Sequence, residues 1–413
     1  MPMRPEDEPV ASAMPLGVRR RRVAILMVAR HASGAEHQTL ALARALSQVH
    51  EVCLLTSDEF ASVVANDSFL SGYAAPVQIR AVGLAFPDAP ATTILGMVAR
   101  AVAYPRMQIR LREALRAFRP DVTHLVLSPS FFAYAPWFVP SNRGVWRRAP
   151  SVVTLAGEAR YALHYYGRGK RLAVQWAARR ATALVACSAD EAANLRAFSP
   201  RDAGRATVID NFTDVDRFRP GPTREPLVVF AARLHPEKGA LRFIEAMAIV
   251  HRQRPDVRIA LFGRGEEEAE VAASIARHGL TGAVDRGFVA DMAPIFARAA
   301  VFVSCQVHEN LGSSSLLEAM ASGAAIVATD VGSTHQIVDD TVGARVAPTP
   351  QAIAEAVLDL LGDPARRDAC GAAARRRVVE RYSVGPYLAQ LLPVYEAAIS
   401  AGRGDASRGR AGA

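Results

Sequence analysis

Cysteine, lysine and long apolar runs are all scarce in this 413-residue chain. The four cysteines, Cys53, Cys187, Cys305 and Cys370, lie far apart with no paired spacing, which excludes a disulfide framework and a cysteine zinc or redox site. Buried thiols in a reducing cytoplasm are the expectation. No segment offers the roughly 20 apolar residues of a spanning helix. The run RRRRVAILMVARH at residues 19–31 imitates a signal peptide, but its apolar centre lasts only from Val23 to Ala29 before Arg30 ends it, so it reads as a first strand. The stretch HLVLSPSFFAYAPWFVP from His124 is broken by Pro129, Pro136 and Pro140. A cytoplasmic protein is expected, with peripheral contact at the inner membrane face as its membrane option.

Aromatic residues make up 7% of the chain and do not interleave with basic ones, so the formal charge of +9 does not point to nucleic acid. The basic excess sits in the RRRR run at residues 19–22 and in three arginines after Ala401. Such ends suit disordered tails and attraction to an acidic membrane surface, at about 1 kcal/mol per residue. Half the residues are hydrophobic and 22% are charged, which describes a globular α/β chain long enough for two or three domains.

Short apolar runs alternate with helical stretches from Arg22 onward: RVAILMVA, EVCLLT, DVTHLVL, PSVVTLA and TALVACS in the first half. After a pause in NFTDVDRFRPGPTREP, residues 211–226, the alternation restarts with LVVFAARL, VRIALFG, AVDRGFV, AVFVSCQ, AAIVATD and GARVAP. Strand–helix alternation implies parallel sheets covered on both faces, and the pause reads as a linker between two Rossmann-like domains. After Pro350 only helical patterns remain, and the tail from Ala401 has too little apolar content to fold.

In open α/β sheets ligands bind beyond the carboxyl ends of the strands. Four segments stand there: SGAEH at residues 33–37, AARLHPEKG at 231–239, FGRGEEE at 262–268, and VHENLGSSSLLEAMASGAAIVATDVG at 307–332. Arg233 leaves a strand and Lys238 precedes a helix, so both cations can face one anion; a solvated turn with Lys238 paired to Glu237 is the plainer alternative. Lys238 is one of two lysines, with Lys170, which makes it a conspicuous choice of point charge. Gly312, Ser313, Ser314 and Ser315 lead into a helix expected near Leu316, offering amides to anionic oxygens, while Glu318 one turn in can accept from sugar hydroxyls; a capping arrangement with Ser315 at the cap is the alternative. Gly263 and Gly265 lack the third glycine of a dinucleotide fingerprint and support close backbone approach only. Asp214 and Asp216 have a spacing that suits a metal or an ordinary turn. His31, His37, His124 and His308 form no metal-ligand spacing.

Together, SGAE, ARLHPEKG, FGRGEE and ENLGSSSLLEAMASGAAIVATDVG resemble the retaining glycosyltransferases of family 4, which have the GT-B fold. The likeness covers most of residues 22–400 and is strongest after Leu227. It implies two Rossmann-like domains facing across a cleft: 18–215 on the acceptor side, 224–384 on the nucleotide-sugar side, a helix at 385–400 returning to the N-terminal domain, and disordered tails at 1–17 and 401–413. It implies hexosyl transfer from a nucleotide-diphosphate sugar to a glycan, lipid-linked or small-molecule hydroxyl, as in polysaccharide biosynthesis, with no metal or other cofactor. Arg233 and Lys238 would neutralise the departing diphosphate and Glu309 would join them in catalysis. Gly34, Gly263, Asn310, Leu311, Gly312, Ser313 and Ser314 would contact the donor, Glu318 its ribose, and Phe288 and Val289 its base.

Two departures stand out. Family members place seven residues between their two glutamates, whereas eight lie between Glu309 and Glu318, so either Glu309 bulges into place or Asn310 takes it. Many members carry a histidine near Ala156, which this chain lacks; Glu158 is a candidate substitute. A sugar-nucleotide epimerase on the same fold, or a donor-binding homologue with weak catalysis, are the alternatives.

Overall fold

A computed structural model describes residues 19–29, 34–83, 94–126, 128–134, 150–310 and 313–411. The chain divides into two compact units, one formed by residues 15–210 with 388–413, the other containing residues 211–387. The sequence divided the chain further on, between residues 215 and 224; the proline-rich segment 211–226 belongs wholly to the second unit. There Thr213 bridges to Ser383, and the rings of Phe212 and Tyr387 lie 4.4 Å apart.

The first unit holds a parallel sheet of seven strands: β1 (Arg22–Met27), β2 (Glu51–Thr56), β3 (Gln78–Ala81), β4 (Val122–Val126), β5 (Ser151–Leu155), β6 (Ala183–Ala186) and β7 (Ala206–Val208). Their order is β3-β2-β1-β4-β5-β6-β7. Strands β1, β2, β4, β5 and β6 are near-continuous apolar runs because helices cover both faces of a parallel sheet. The sequence pattern misses β3 and β7, the two edges, which are short and half-wet and so have no apolar run to announce them.

From Leu388 onward the final helix, Val384–Ala411, belongs to this unit. The Tyr395 hydroxyl lies 2.7 Å from Nδ1 of His124, whose Nε2 is 2.6 Å from the Thr154 hydroxyl. Burial pushes the His124 imidazole down to about 3, so the ring is neutral and bonds one hydroxyl through each nitrogen. Arg21 Nε donates to Glu396 at 2.7 Å, and Arg22 opens β1. Two of the four clustered arginines therefore belong to the fold rather than to a basic tail. Residues 401–411 are also helical, against the expectation of a disordered tail, because extending a helix already nucleated and packed costs far less than starting one.

The second unit repeats the plan with β8 (Leu227–Ala231), β9 (Arg258–Phe262), β10 (Val284–Gly287), β11 (Val301–Ser304), β12 (Ala325–Thr329) and β13 (Gly343–Val346), in the order β10-β9-β8-β11-β12-β13. Side chains along the central strands β8, β9, β11 and β12 alternate between two cores. Val228, Phe230, Val301, Val303 and Val327 pack into one, while Val229, Ala231, Phe302, Ile326 and Ala328 pack into the other. Among the described residues no helix is long and apolar enough to cross a membrane, and all four cysteines are free and buried.

Candidate active site

Four neighbouring strands of the second sheet, β10, β9, β8 and β11, send most of the candidate residues from their carboxyl ends. Strand β8 pairs with β9 on one side and β11 on the other, so the loops after β8 and β11 flank the point where the strand order reverses, the usual ligand position in such sheets. Arg233 and Lys238 follow β8; Glu309, Asn310 and the helix Ser314–Ala321 follow β11.

The two loops are tied together. A short 3-10 turn, Pro236–Lys238, ends at Gly239, whose φ of 71° and a Cβ that would stand 2.2 Å from the Cys305 carbonyl both require glycine. Val307 N–H donates to the Glu237 carbonyl at 2.9 Å, and Lys238 Nζ donates to Gln306 Oε1 at 2.9 Å. Glu237 is buried between His235 Nδ1 at 4.0 Å and His308 Nε2 at 3.8 Å. The solvated Glu237–Lys238 turn is therefore not what forms: the carboxylate goes inward to two imidazoles and the ammonium goes to an amide.

Arg233 is exposed on a loop held by the next crossover. Leu234 N–H donates to the Arg264 carbonyl at 2.9 Å, and a Cβ on Gly263 or Gly265 would meet the carbonyls of Ala232 at 1.8 Å or Leu234 at 2.1 Å. The close approach read from these glycines is thus made by the chain's own Arg233 loop. Beyond β10, Phe288 is 42% exposed with the Arg264 guanidinium 4.7 Å from its ring centre, whereas Val289 leans on the core.

Asn310 is fully buried. Its amide donates to the Thr329 carbonyl at 2.7 Å and the Thr334 hydroxyl at 2.9 Å, and its oxygen accepts from Ser304 at 2.5 Å. That side chain fastens the β11 loop to the β12 loop, and both of its amide N–H donors are used. Glu309 lies beside it, 7% exposed. Leu311 and Gly312 lie outside the described residues.

The helix starts at Ser314 rather than near Leu316, with Ser313 as its cap. Leu317 N–H closes the first turn onto the Ser313 carbonyl at 3.2 Å, but no serine side chain caps the helix, so the capping arrangement around Ser315 does not form. Glu318, half-buried one turn in, is pushed up to about 7 by burial; Arg217 pulls it down and Asp291 adds to the rise. Arg217 donates to Asp291 at 2.9 Å. Both of these, with Gln306 and His235, stand at the candidate site without having been singled out in the sequence, where His308 is weighed only as a metal ligand; Arg217 lies inside NFTDVDRFRPGPTREP, next to the acids Asp214 and Asp216.

Asp214 accepts from the backbone N–H of Asp216 at 3.1 Å and of Arg217 at 3.0 Å, which makes it a turn former. Among the described residues no group of three or more His, Cys, Asp or Glu side chains is placed to hold a metal. His31 lies outside the described residues. In the first unit Gly34 is exposed and opens the helix Gly34–Ser47, and Glu158 folds back to accept from the Ala156 N–H at 2.5 Å.

Family models match both units in turn: the one described as a glycosyl transferase 4-like domain covers residues 33–211, and the one described as glycosyl transferases group 1 covers residues 225–363. The chain belongs to this glycosyltransferase family. The chain is similar to the alpha-maltose-1-phosphate synthase of Mycobacterium tuberculosis, 33% identical over 232 residues that cover 49% of this chain and 59% of that protein. The match thus spans about three-fifths of that relative's length. Sucrose-phosphate synthase from Thermosynechococcus elongatus superposes with a TM-score of 0.73 at 20% identity, covering 92% of this chain and 100% of that one. Anabaena HepE in complex with UDP-glucose gives 0.71 at 20% identity, covering 91% and 100%. At such identities the likeness is one of fold, the two-domain GT-B kind.

Proposed function

We propose that this glycosyltransferase moves a hexosyl group from a nucleotide-diphosphate sugar to a hydroxyl of a glycan, lipid-linked or small-molecule acceptor, with retention at the anomeric carbon. The observation that carries this reading is the placement of Arg233 and Lys238 on one side of the β8–β11 switch point and of Ser313, Ser314 and Glu318 on the other. Cations and helix amides suit a diphosphate, and a carboxylate one turn along suits ribose hydroxyls. The HepE complex, which holds UDP-glucose on a related fold, supports a sugar nucleotide as ligand.

Chemically, the acceptor oxygen forms a bond to the anomeric carbon on the face from which the diphosphate leaves. The bonding pair of the broken C–O bond departs with the diphosphate, where Arg233 and Lys238 neutralise it, and a phosphate oxygen takes the acceptor proton. Glu309, rather than Asn310, holds the sugar hydroxyls, since the Asn310 amide is committed to Thr329 and Thr334. Exposed Phe288 offers its ring to the base.

A thermal-shift screen with UDP, GDP, ADP and their common sugars tests the donor assignment, because a ligand bound only by the native state raises the melting temperature. No shift with any of them would end the proposal. Product anomers read by NMR test retention, and a covalent glycosyl adduct trapped on Glu309 would refute the same-face route.

A further inference from the structure

The helix Arg168–Arg180 of the first unit, RGKRLAVQWAARR, has five cations, Arg168, Lys170, Arg171, Arg179 and Arg180, and no acid. A surface helix ordinarily turns one apolar stripe inward and leaves charges outside. Val174, Ala177 and Ala178 form that inner stripe. Leu172 faces out, 65% exposed, and Trp176, one turn further along, is half-buried, with part of its ring against the core of this unit. With Ala173, Gln175 and Arg179 they line an open groove of about 510 Å³. Tyr165, just before the helix, is half-exposed as well, and the Lys170 ammonium sits 3.7 Å from the ring centre of Tyr166.

We infer that this face docks on an anionic lipid bilayer. Leu172, with the exposed edge of Trp176 beside it, enters the boundary between headgroups and acyl chains, and the cations at both ends of the helix take the lipid phosphates. Charge and apolarity point to the same occupant. Nucleic acid would use the cations but gain nothing from an exposed leucine. A protein partner would have to match five like charges around the groove. Arg179 also meets Asp202 at 3.6 Å, so the N-terminal cluster Arg168, Lys170 and Arg171 carries most of the attraction. The basic ends singled out in the sequence are not needed for this contact. The inference is independent of the transfer chemistry, because vesicle binding requires neither donor nor acceptor.

Sedimentation of the full chain with phosphatidylcholine vesicles, with and without one-third phosphatidylglycerol, tests it. The chain is expected to sediment with the phosphatidylglycerol vesicles only. The triple variant Arg168→Ser, Lys170→Ser, Arg171→Ser should lower the partition coefficient about 100-fold, at about fivefold per cation removed. Leu172→Ser, which leaves the charge unchanged, should lower it about tenfold. All four positions are exposed, so melting temperature and the thermal shift given by sugar nucleotides should stay at wild-type values. Wild-type chain that ignores the anionic vesicles, or variants that bind them as wild type does, would overturn the inference. So would binding of a single-stranded oligonucleotide that the triple variant loses and Leu172→Ser keeps, with no vesicle binding.

Discussion

The Lys238 ammonium donates to the side-chain oxygen of Gln306 at 2.9 Å, joining the turn after β8 to the loop after β11. The amide fixes the position of the ammonium. An anionic oxygen arriving at the switch point can take over as a stronger, charge-assisted partner.

Removing either cation should therefore show in the chemical step. Lys238→Ala and Arg233→Ala are each expected to lower kcat about 100-fold, corresponding to about 3 kcal/mol of leaving-group stabilisation. Steady-state kinetics on the sugar nucleotide found in the ligand screen measures this. Rates equal to wild type would take both residues out of the mechanism.

Glu309 and Asn310 should separate cleanly. Asn310→Ala leaves Ser304, Thr329 and Thr334 without their buried partner and should cost about 2–3 kcal/mol of stability in urea unfolding. Glu309→Gln should instead lower turnover while leaving the unfolding midpoint close to wild type. The opposite pairing would place Asn310 at the sugar.

Glu318 should give the proposed donor site a pH dependence. Its folded value near 7 lies above its ordinary value of 4.5, so the native state holds the extra proton between those limits. Stability contributed by the protonated form is lost as pH rises from about 4.5 to 7. Discounted for partial exposure, Glu318→Gln should stabilise the chain by about 1–2 kcal/mol at pH 8 and little at pH 4.5. The proposed ribose contact uses the carboxylate, so nucleotide affinity should fall as pH drops below about 7 in wild type and stay flat in Glu318→Gln. Calorimetric titration across that range checks both the sign and the residue.

His124 acts in the opposite sense. Its folded value of about 3 lies below the ordinary 6.5, so the unfolded chain binds the proton first, and stability falls as pH drops below 6.5. The loss should reach about 2–3 kcal/mol by pH 4.5. Tyr395→Phe removes a hydroxyl from the imidazole and should cost a further 1–3 kcal/mol, roughly, at neutral pH. Thermal unfolding of both chains as a function of pH reads these effects, and a flat profile would mean that His124 titrates in the folded state as it does in water.

The alternation of apolar runs and helical segments made two parallel α/β domains legible, because strands buried on both faces must be apolar throughout and strand-to-strand crossovers must be long. The same logic explains why β3 and β7 escaped notice: edges carry no such requirement. The loops ARLHPEKG and ENLGSSS stood out for a related reason, since cations, glycines and serines bunched just beyond a strand end have few structural uses.

Residue types and their order along the chain thus determined the fold class, the family resemblance and the strand ends that carry the candidate site. Partnership was decided by the tertiary structure alone. Glu237 turned to two histidines, Asn310 to two threonines, Gly263 and Gly265 to the Arg233 loop, and Arg217 to Asp291 near Glu318. Periodicity is a local property that steric and hydrophobic demands write into neighbouring residues. Hydrogen bonds and ion pairs join positions up to 74 residues apart in this site, and a linear pattern carries no signal for which of several competent partners lies within 3 Å.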